Sequence, residues 1–229
     1  ALLAEYRKAI IFEAVTKGLD KTADMKDSGV DWVGQIPSGW GVARVSEIGR
    51  VVKTLNTGMK CVNRLALTMH GVVARSMNDL DGLQAKNFES YQIFENGDIV
   101  FKLIDLQNIS TSRVGLVPRQ GIMSPAYIRL SLKKGVSNRY FFYQFYSAYL
   151  NQVYNSMGGG VRQALGREDL LSFNVVVPSA TEQEEIADFI DGRLAEVEEE
   201  SRLLTQKVTL LAEYRKALIF EAVTGKVEV

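Results

Sequence analysis

The chain has 229 residues, of which 46% are hydrophobic and 24% are charged. This composition is typical of a globular protein, and no 18-residue apolar stretch indicates a transmembrane helix. The net charge is zero, and one cysteine, Cys61, with one histidine, His70, exclude an internal disulfide framework and a zinc site of the usual Cys/His type.

The charge is unevenly distributed along the chain. Residues 36–178 contain 16 Lys and Arg against 9 Asp and Glu, whereas residues 179–229 contain 6 against 12. Residues 1–35 are close to balance, with 5 basic and 6 acidic side chains. A basic domain suits a partner that carries phosphates, because neutralised phosphates release their counterions. A moderately basic surface without such a partner is the alternative.

A repeated segment lies at both ends of the chain. Residues 2–16 (the N-terminal repeat) and residues 210–224 (the C-terminal repeat) are identical at 14 of 15 positions, and only Ile10 and Leu218 differ. The identity predicts that the chain holds slightly more than one period of a duplicated unit. We expect residues 1–17 to form a short helix that is the tail of a preceding long helix.

The first residues also bear on location. The chain starts without Met, as expected of a fragment, and the charged start is unlike a signal peptide. Cysteine usage suits a reducing compartment, so we expect a cytoplasmic protein.

Residues 18–35 are polar and are predicted to form a linker. A loop with the sequence Ile-Pro-Ser-Gly-Trp then occupies residues 36–40 and opens the middle domain, residues 36–178. Short β-like runs separated by turns follow. Residues 42–48 are predicted as a short strand or the approach to one, and the further predicted strands are 72–74, 98–103, 114–117, 127–132 and 173–177.

One helix interrupts these strands, over residues 138–154. Phe141, Phe145, Tyr149 and Val153 fall on one face of it, which indicates a packed core face. Base stacking by these aromatic side chains is the less favoured alternative. A flexible basic loop at residues 158–163 follows, which begins with three glycines.

The last predicted element is a long helix in residues 179–229. Thr181 stands three residues before Glu184, the spacing of a capping box. A heptad-like apolar stripe predicts that the helix packs against another helix, either residues 2–16 or a second chain. The stripe residues predicted to mediate dimerisation are Ile190, Val197, Leu204, Leu211 and Leu218.

Motifs for catalysis are missing from the sequence. There is no P-loop, no complete G-x-G-x-x-G and no Asn-Pro-Pro-aromatic methyltransferase motif. The sequence therefore favours a binding protein that holds no metal or cofactor. A small enzyme that uses His70 is a weaker alternative.

These features together resemble the specificity subunit of type I restriction–modification systems. The matching motifs are Ile-Pro-x-Gly-Trp at 36–40, Gly-Asp-Ile-Val at 97–100, and Pro178 with Glu182, Gln183, Ile186 and Ala187 before a long helix. Such subunits look like two target-recognition domains alternating with two conserved helices. Only one such domain is visible here, so the chain resembles a half subunit.

The resemblance implies an α+β fold: one mixed α/β target-recognition domain with a β-rich core, a long C-terminal coiled-coil-type helix and a short N-terminal helix. It implies a non-catalytic subunit that reads one half of a split site in double-stranded DNA. The expected partners are DNA methyltransferase (modification) subunits, which carry S-adenosylmethionine, and a restriction subunit. A half subunit is expected to form a homodimer through its long helices and to read a split palindrome.

Candidate DNA-binding residues follow from side-chain chemistry, since Arg, Lys, Asn and Gln match base edges and phosphates. The alternative for each is an ordinary solvated polar group, and the alternative for the whole chain is a coiled-coil adaptor whose middle domain binds protein. The candidates for base contacts are Lys102, Asp105, Gln107, Asn108, Arg113, Ser124, Tyr127, Arg129, Arg162 and Gln163, and those for phosphates are Lys53, Lys60, Arg64 and Arg75.

Overall fold

A computed structural model describes residues 2–77, 88–106, 112–157 and 164–224. The helices are α1 (Leu2–Lys17), α2 (Val45–Ile48), α3 (Asn138–Leu150), α4 (Val153–Met157), α5 (Arg167–Ser172) and α6 (Ala180–Val223). The strands are β1 (Met25–Asp27), β2 (Gln35–Pro37), β3 (Gly41–Arg44), β4 (Gly49–Val52), β5 (Arg64–Thr68), β6 (Gly71–Arg75), β7 (Gln92–Phe94), β8 (Ile99–Phe101), β9 (Val114–Leu116), β10 (Gly121–Met123), β11 (Ile128–Leu132) and β12 (Asn174–Val177).

The strands form two four-stranded sheets and two ribbons. One sheet has the order β6-β5-β10-β7, in which β5 and β10 run parallel. The other has the order β4-β11-β8-β9 and is antiparallel throughout. The ribbons pair β1 with β2 and β12 with β3, and the second ribbon joins the start of the middle domain to its end.

Glycine allows the two sheets to approach closely. A Cβ atom on Gly115 of β9 would lie 2.6 Å from the Leu67 side chain of β5 and 2.8 Å from that of Val72 in β6. Packed interiors cannot absorb such an overlap without movement, so a residue without a side chain is required at this crossing.

The main hydrophobic core lies between the antiparallel sheet and the helices. Phe101 of β8 meets Phe145 of α3 edge to face at 5.1 Å between ring centroids. Helix α1 packs against both α3 and α6, and Ile11, Val15 and Ile190 join the same core. The aromatic face of α3 predicted from sequence is therefore core, with Phe141 and Phe145 fully buried.

The mixed α and β content, the β-rich domain and the long C-terminal helix confirm the predicted fold class. Residues 18–35, predicted as a linker, differ because they contain β1. That strand is exposed along its length, so it has no apolar alternation for a sequence pattern to detect.

Two helix boundaries also differ from the sequence prediction. Residues 42–48 were predicted as a short strand or the approach to one; β3 ends at Arg44, and the chain then turns into α2, in which Val45 and Ile48, three apart, are both buried. The helix predicted over 138–154 ends at Leu150, and α4 follows after Gln152, whose φ is +57°.

The predicted capping box of the long helix lies two residues too late. Ser179 is the N-cap, and its Oγ accepts from the Glu182 backbone N–H at 3.3 Å. The Glu182 carboxylate accepts from the Ser179 N–H at 3.1 Å and from the Trp40 indole N–H at 3.1 Å. The Trp40 contact explains why the earlier start is preferred.

Candidate nucleic-acid interface

Four neighbouring strands end together at one edge of the antiparallel sheet. The register pairs Val52 with Arg129, and Phe101 with both Ile128 and Val114. One residue beyond this edge on each strand stands a polar side chain proposed from sequence. We call these four residues the sheet end: Lys53, Lys102, Arg113 and Tyr127.

The loop between β8 and β9 is closed at its base and fixed from inside by an arginine. The Lys102 N–H donates to the Arg113 carbonyl at 2.9 Å. The buried Arg113 guanidinium donates to the Asp105 carbonyl at 2.7 Å, and Asp105 adopts φ +53°, a left-handed conformation that Asp tolerates. Arg113 thus holds the backbone of the loop at Asp105 from the buried side, while Asp105 itself is exposed.

Two cationic side chains of the sheet end, Lys102 and Arg113, are close enough to influence each other. Burial lowers the pKa of Lys102, and the nearby Arg113 lowers it further, while Asp105 opposes the shift. Burial likewise lowers the pKa of Arg113. Burial is the largest cause of both shifts, so the two cationic groups lie partly within the domain at this edge of the sheet.

Tyr149 of α3 and a hairpin turn lie beside the sheet end. Tyr127 and Tyr149 both interact electrostatically with Arg113, and Arg75 interacts with Tyr127. The Tyr149 hydroxyl lies 4.0 Å from the Met69 sulfur in the turn between β5 and β6. Sequence reasoning assigned Tyr149 to a core face and overlooked Met69, since only the fold brings them to this site.

Residues that flank a second loop contact the β8–β9 loop. The Leu165 N–H donates to the Leu103 carbonyl at 2.8 Å, and the Asn155 side chain donates to the Leu106 carbonyl at 3.3 Å. The chain therefore returns to the β8–β9 loop on both sides of residues 158–163. The candidates Arg162 and Gln163, like Gln107 and Asn108, lie outside the described residues.

Arg129 has internal partners instead of a surface position. Its Nε donates to the Asp98 carboxylate at 2.5 Å and its Nη1 to the Ile93 carbonyl at 2.7 Å. Burial raises the pKa of Asp98, and the hydrogen bonds from Glu95 N–H and Arg129 oppose this shift. Arg129 therefore joins the two sheets, and its burial at 6% exposure contradicts the prediction that it contacts DNA from the surface.

The remaining candidates lie apart from the sheet end or support it. Arg64 is buried, donates to the Ser76 carbonyl at 3.0 Å and stands over the Phe88 ring at 5.7 Å. Lys60 is exposed in the loop between β4 and β5. Ser124 is half-buried, and its carbonyl and that of Tyr127 accept from the Gln92 amide at 3.3 and 2.7 Å. Gln92, which sequence reasoning missed, thereby holds the turn that leads to Tyr127.

The stripe of α6 divides into a buried and an exposed part. Ile190 and Val197 are buried within this chain, at 0% and 3% exposure. Leu204, Leu211 and Leu218 are 56%, 57% and 40% exposed. Only these last three therefore remain available to a second chain, because the first two are covered by the chain's own domain and α1.

Neither a metal site nor a membrane helix is found in the described parts of the chain. Within residues 2–77, 88–106, 112–157 and 164–224, no three His, Cys, Asp or Glu side chains are grouped to hold a metal ion. Over the same ranges, no helix combines the length and apolar character needed to cross a bilayer.

The solved structures most relevant here belong to type I R-M systems. One is a chain from work on complex assembly and conformational transition of the type I R-M system, matched with TM-score 0.58 and 14% identity over 96% of this chain and 53% of that chain. Another is the HsdS subunit from Thermoanaerobacter tengcongensis, with TM-score 0.55 and 13% identity over 99% of this chain and 53% of that one. At such identities the likeness concerns the fold, and this chain spans about half the length of the chains that it matches.

Sequence comparison gives the family directly. A search of curated proteins returned no match. The family model for the type I restriction modification DNA specificity domain matches residues 37–206, which is most of the chain and includes the whole sheet end. The chain therefore belongs to the type I restriction–modification DNA specificity domain family.

Proposed function

We propose that this chain is a half specificity subunit that reads one half of a bipartite DNA site and catalyses no reaction itself. The observation that carries the proposal is the convergence of Lys53, Lys102, Arg113 and Tyr127 at one edge of a family-matching domain. In this proposal Lys53 and Lys102 hold phosphates, which orient the domain on the duplex. In the same proposal, base edges are read by Asp105, Gln107, Asn108, Arg162 and Gln163.

The partners follow from the same proposal. Modification subunits dock along α6 and bring the S-adenosylmethionine chemistry, and a restriction subunit joins the complex. Two copies of this chain form a two-fold homodimer in the cytoplasm and read an inverted, split motif, because protein symmetry maps onto site symmetry.

Selection from a random-sequence duplex pool tests the reading of bases. The purified chain is used alone and then with its modification subunit. Enrichment of an inverted split motif supports both base readout and the dimer, and a single short motif retains base readout without the dimer. If neither condition enriches a motif, the chain is better explained as a coiled-coil adaptor that binds protein.

The salt dependence of binding to the selected duplex tests where phosphates are held. Lys53→Ala with Lys102→Ala removes two sheet-end cations, and the slope of log affinity against log salt is expected to fall by about 0.9 for each lost phosphate contact. The matched control is Lys133→Ala with Lys134→Ala, since both side chains are exposed beyond the opposite end of β11. Equal slopes for the two double variants would place the DNA elsewhere on the domain.

A further inference from the structure

The turn between β5 and β6 presents an apolar side chain at the surface of the middle domain. Residues 68–71 form this turn (the hairpin turn), with Met69 and His70 at its centre. Met69 is 47% exposed, and His70 is exposed as well. Among the described residues, Met69 belongs to none of the hydrophobic clusters that hold the sheets and helices together. Its apolar surface is therefore not used by the core.

The hairpin turn lies beside the cationic edge of the antiparallel sheet. Leu67 and Val72 form the cross-strand pair next to the turn, and they pack against β9, the strand that begins directly after Arg113. The Tyr149 hydroxyl lies 4.0 Å from the Met69 sulfur and also interacts electrostatically with Arg113. The exposed apolar tip and the sheet end are thus neighbours on one surface.

The hairpin turn is held in one conformation by its own residues. The Thr68 hydroxyl accepts from the His70 N–H at 3.1 Å and donates to the Gly71 carbonyl at 3.0 Å. Gly71 adopts φ +92°, which glycine allows without steric cost. Cross-strand pairing continues from the turn down to Arg64 with Arg75. A partner therefore meets a preformed turn, and little conformational entropy is lost when it binds.

The size of the hairpin and the chemistry of its tip match the major groove of DNA. Paired strands lie about 4.8 Å apart, and the major groove, about 12 Å wide, admits a two-stranded ribbon. Of the four bases, thymine presents a methyl group there, and apolar side chains contact it. We propose that the hairpin turn enters the major groove next to the sheet end and that Met69 covers the 5-methyl group of a thymine. Met69 is then a specificity-determining residue.

The side-chain types around the hairpin turn support DNA as the partner. Methionine is unbranched, and its polarizable thioether adapts to the shape of the group that it contacts. Lys53 and Lys102 of the sheet end supply the positive charge for the phosphates that border the groove. The inference rests on the proposed reading of DNA and names a base chemistry for it, and it does not require the homodimer.

Replacement of thymine by uracil in the selected duplex tests this contact, because it removes the 5-methyl group and keeps the base pairing. The affinity of the full chain is measured under the condition that enriched the motif, with one thymine of the half-site replaced at a time. Uracil at one position is expected to weaken binding of the unsubstituted chain about four-fold, the effect of one covered methyl group. Met69→Ala should bind the thymine duplex more weakly and lose the difference between thymine and uracil at that position.

Two further variants separate this contact from a general loss of binding. Met69→Leu keeps an apolar side chain and is expected to retain part of the preference for thymine. Met25→Ala removes a methionine that is 37% exposed in the β1–β2 ribbon and should retain the full preference. A selected motif without thymine, or a thymine preference that Met69→Ala leaves unchanged, overturns the inference while the proposed DNA reading stands. Failure to select any motif overturns both.

Discussion

The role of each basic side chain in this domain depends on whether that side chain is buried or exposed. Arg129 lies with Asp98 in a pair that is 7% and 4% exposed by side chain, and Arg113 holds the backbone of its own loop. By contrast, Lys53 is exposed at the same sheet edge. Residue type alone nominated all three for DNA contact, and burial separates the two arginines, which hold the domain's own structure, from Lys53, which is exposed.

Removal of one member of the buried pair should be costly. Arg129→Met leaves the Asp98 carboxylate buried without its cation, and the free energy of unfolding is expected to fall by about 3–5 kcal/mol. The double variant Arg129→Met with Asp98→Leu should lose less, because no uncompensated charge remains. Urea unfolding without DNA measures both. A single variant as stable as the double would show that Asp98 finds another partner.

At the level of elements, short strands and helix ends hold the structure around the candidate site in place. Strands of three to five residues, such as β7 and β10, offered too little alternation for sequence prediction, yet β7 supplies Gln92 beneath Tyr127. The start of α6 is set by Ser179 together with Glu182 and Trp40. That tertiary contact, absent from local spacing, moved the cap from Thr181 to Ser179.

The helix cap gives a matched pair of substitutions. Ser179→Ala removes the acceptor for the Glu182 N–H and is expected to lower the free energy of unfolding by about 1 kcal/mol. Thr181→Ala, at the position that sequence spacing favoured, should change it by less than about 0.5 kcal/mol, as exposed substitutions usually do. Denaturant midpoints compared at equal m-values measure the difference. A larger loss for Thr181→Ala would restore the cap to that residue.

At the level of the whole molecule, the two parts of α6 lie in different environments. Its first part packs on α3 and α1, and Arg139 of α3 pairs with Asp188 at 2.8 Å. Residues 202–224 are exposed throughout. A helix without a packed face is marginal in water, which supports the homodimer through the long helices that we propose.

Amide hydrogen exchange should reveal this division within one helix. In dilute monomer, residues 203–223 are expected to exchange close to the unprotected rate, while residues 180–197 stay protected. Raising the protein concentration should protect the far part as the dimer forms. Equal protection of both parts in dilute solution would contradict the marginal stability of the far part.

The sequence by itself determined the features that follow from local residue patterns or from identical segments. The repeat, the long helix, the aromatic core face of α3 and the family motifs all follow from periodicity or from direct matches between residues. Only the tertiary structure brought Lys53, Lys102, Arg113 and Tyr127 to one edge, because strand pairing joins positions far apart in the chain. The repeat shows most directly what a sequence pattern cannot predict. Ile11 is buried and its counterpart Ile219 is exposed, because burial depends on what packs against a segment and not on the segment's own sequence.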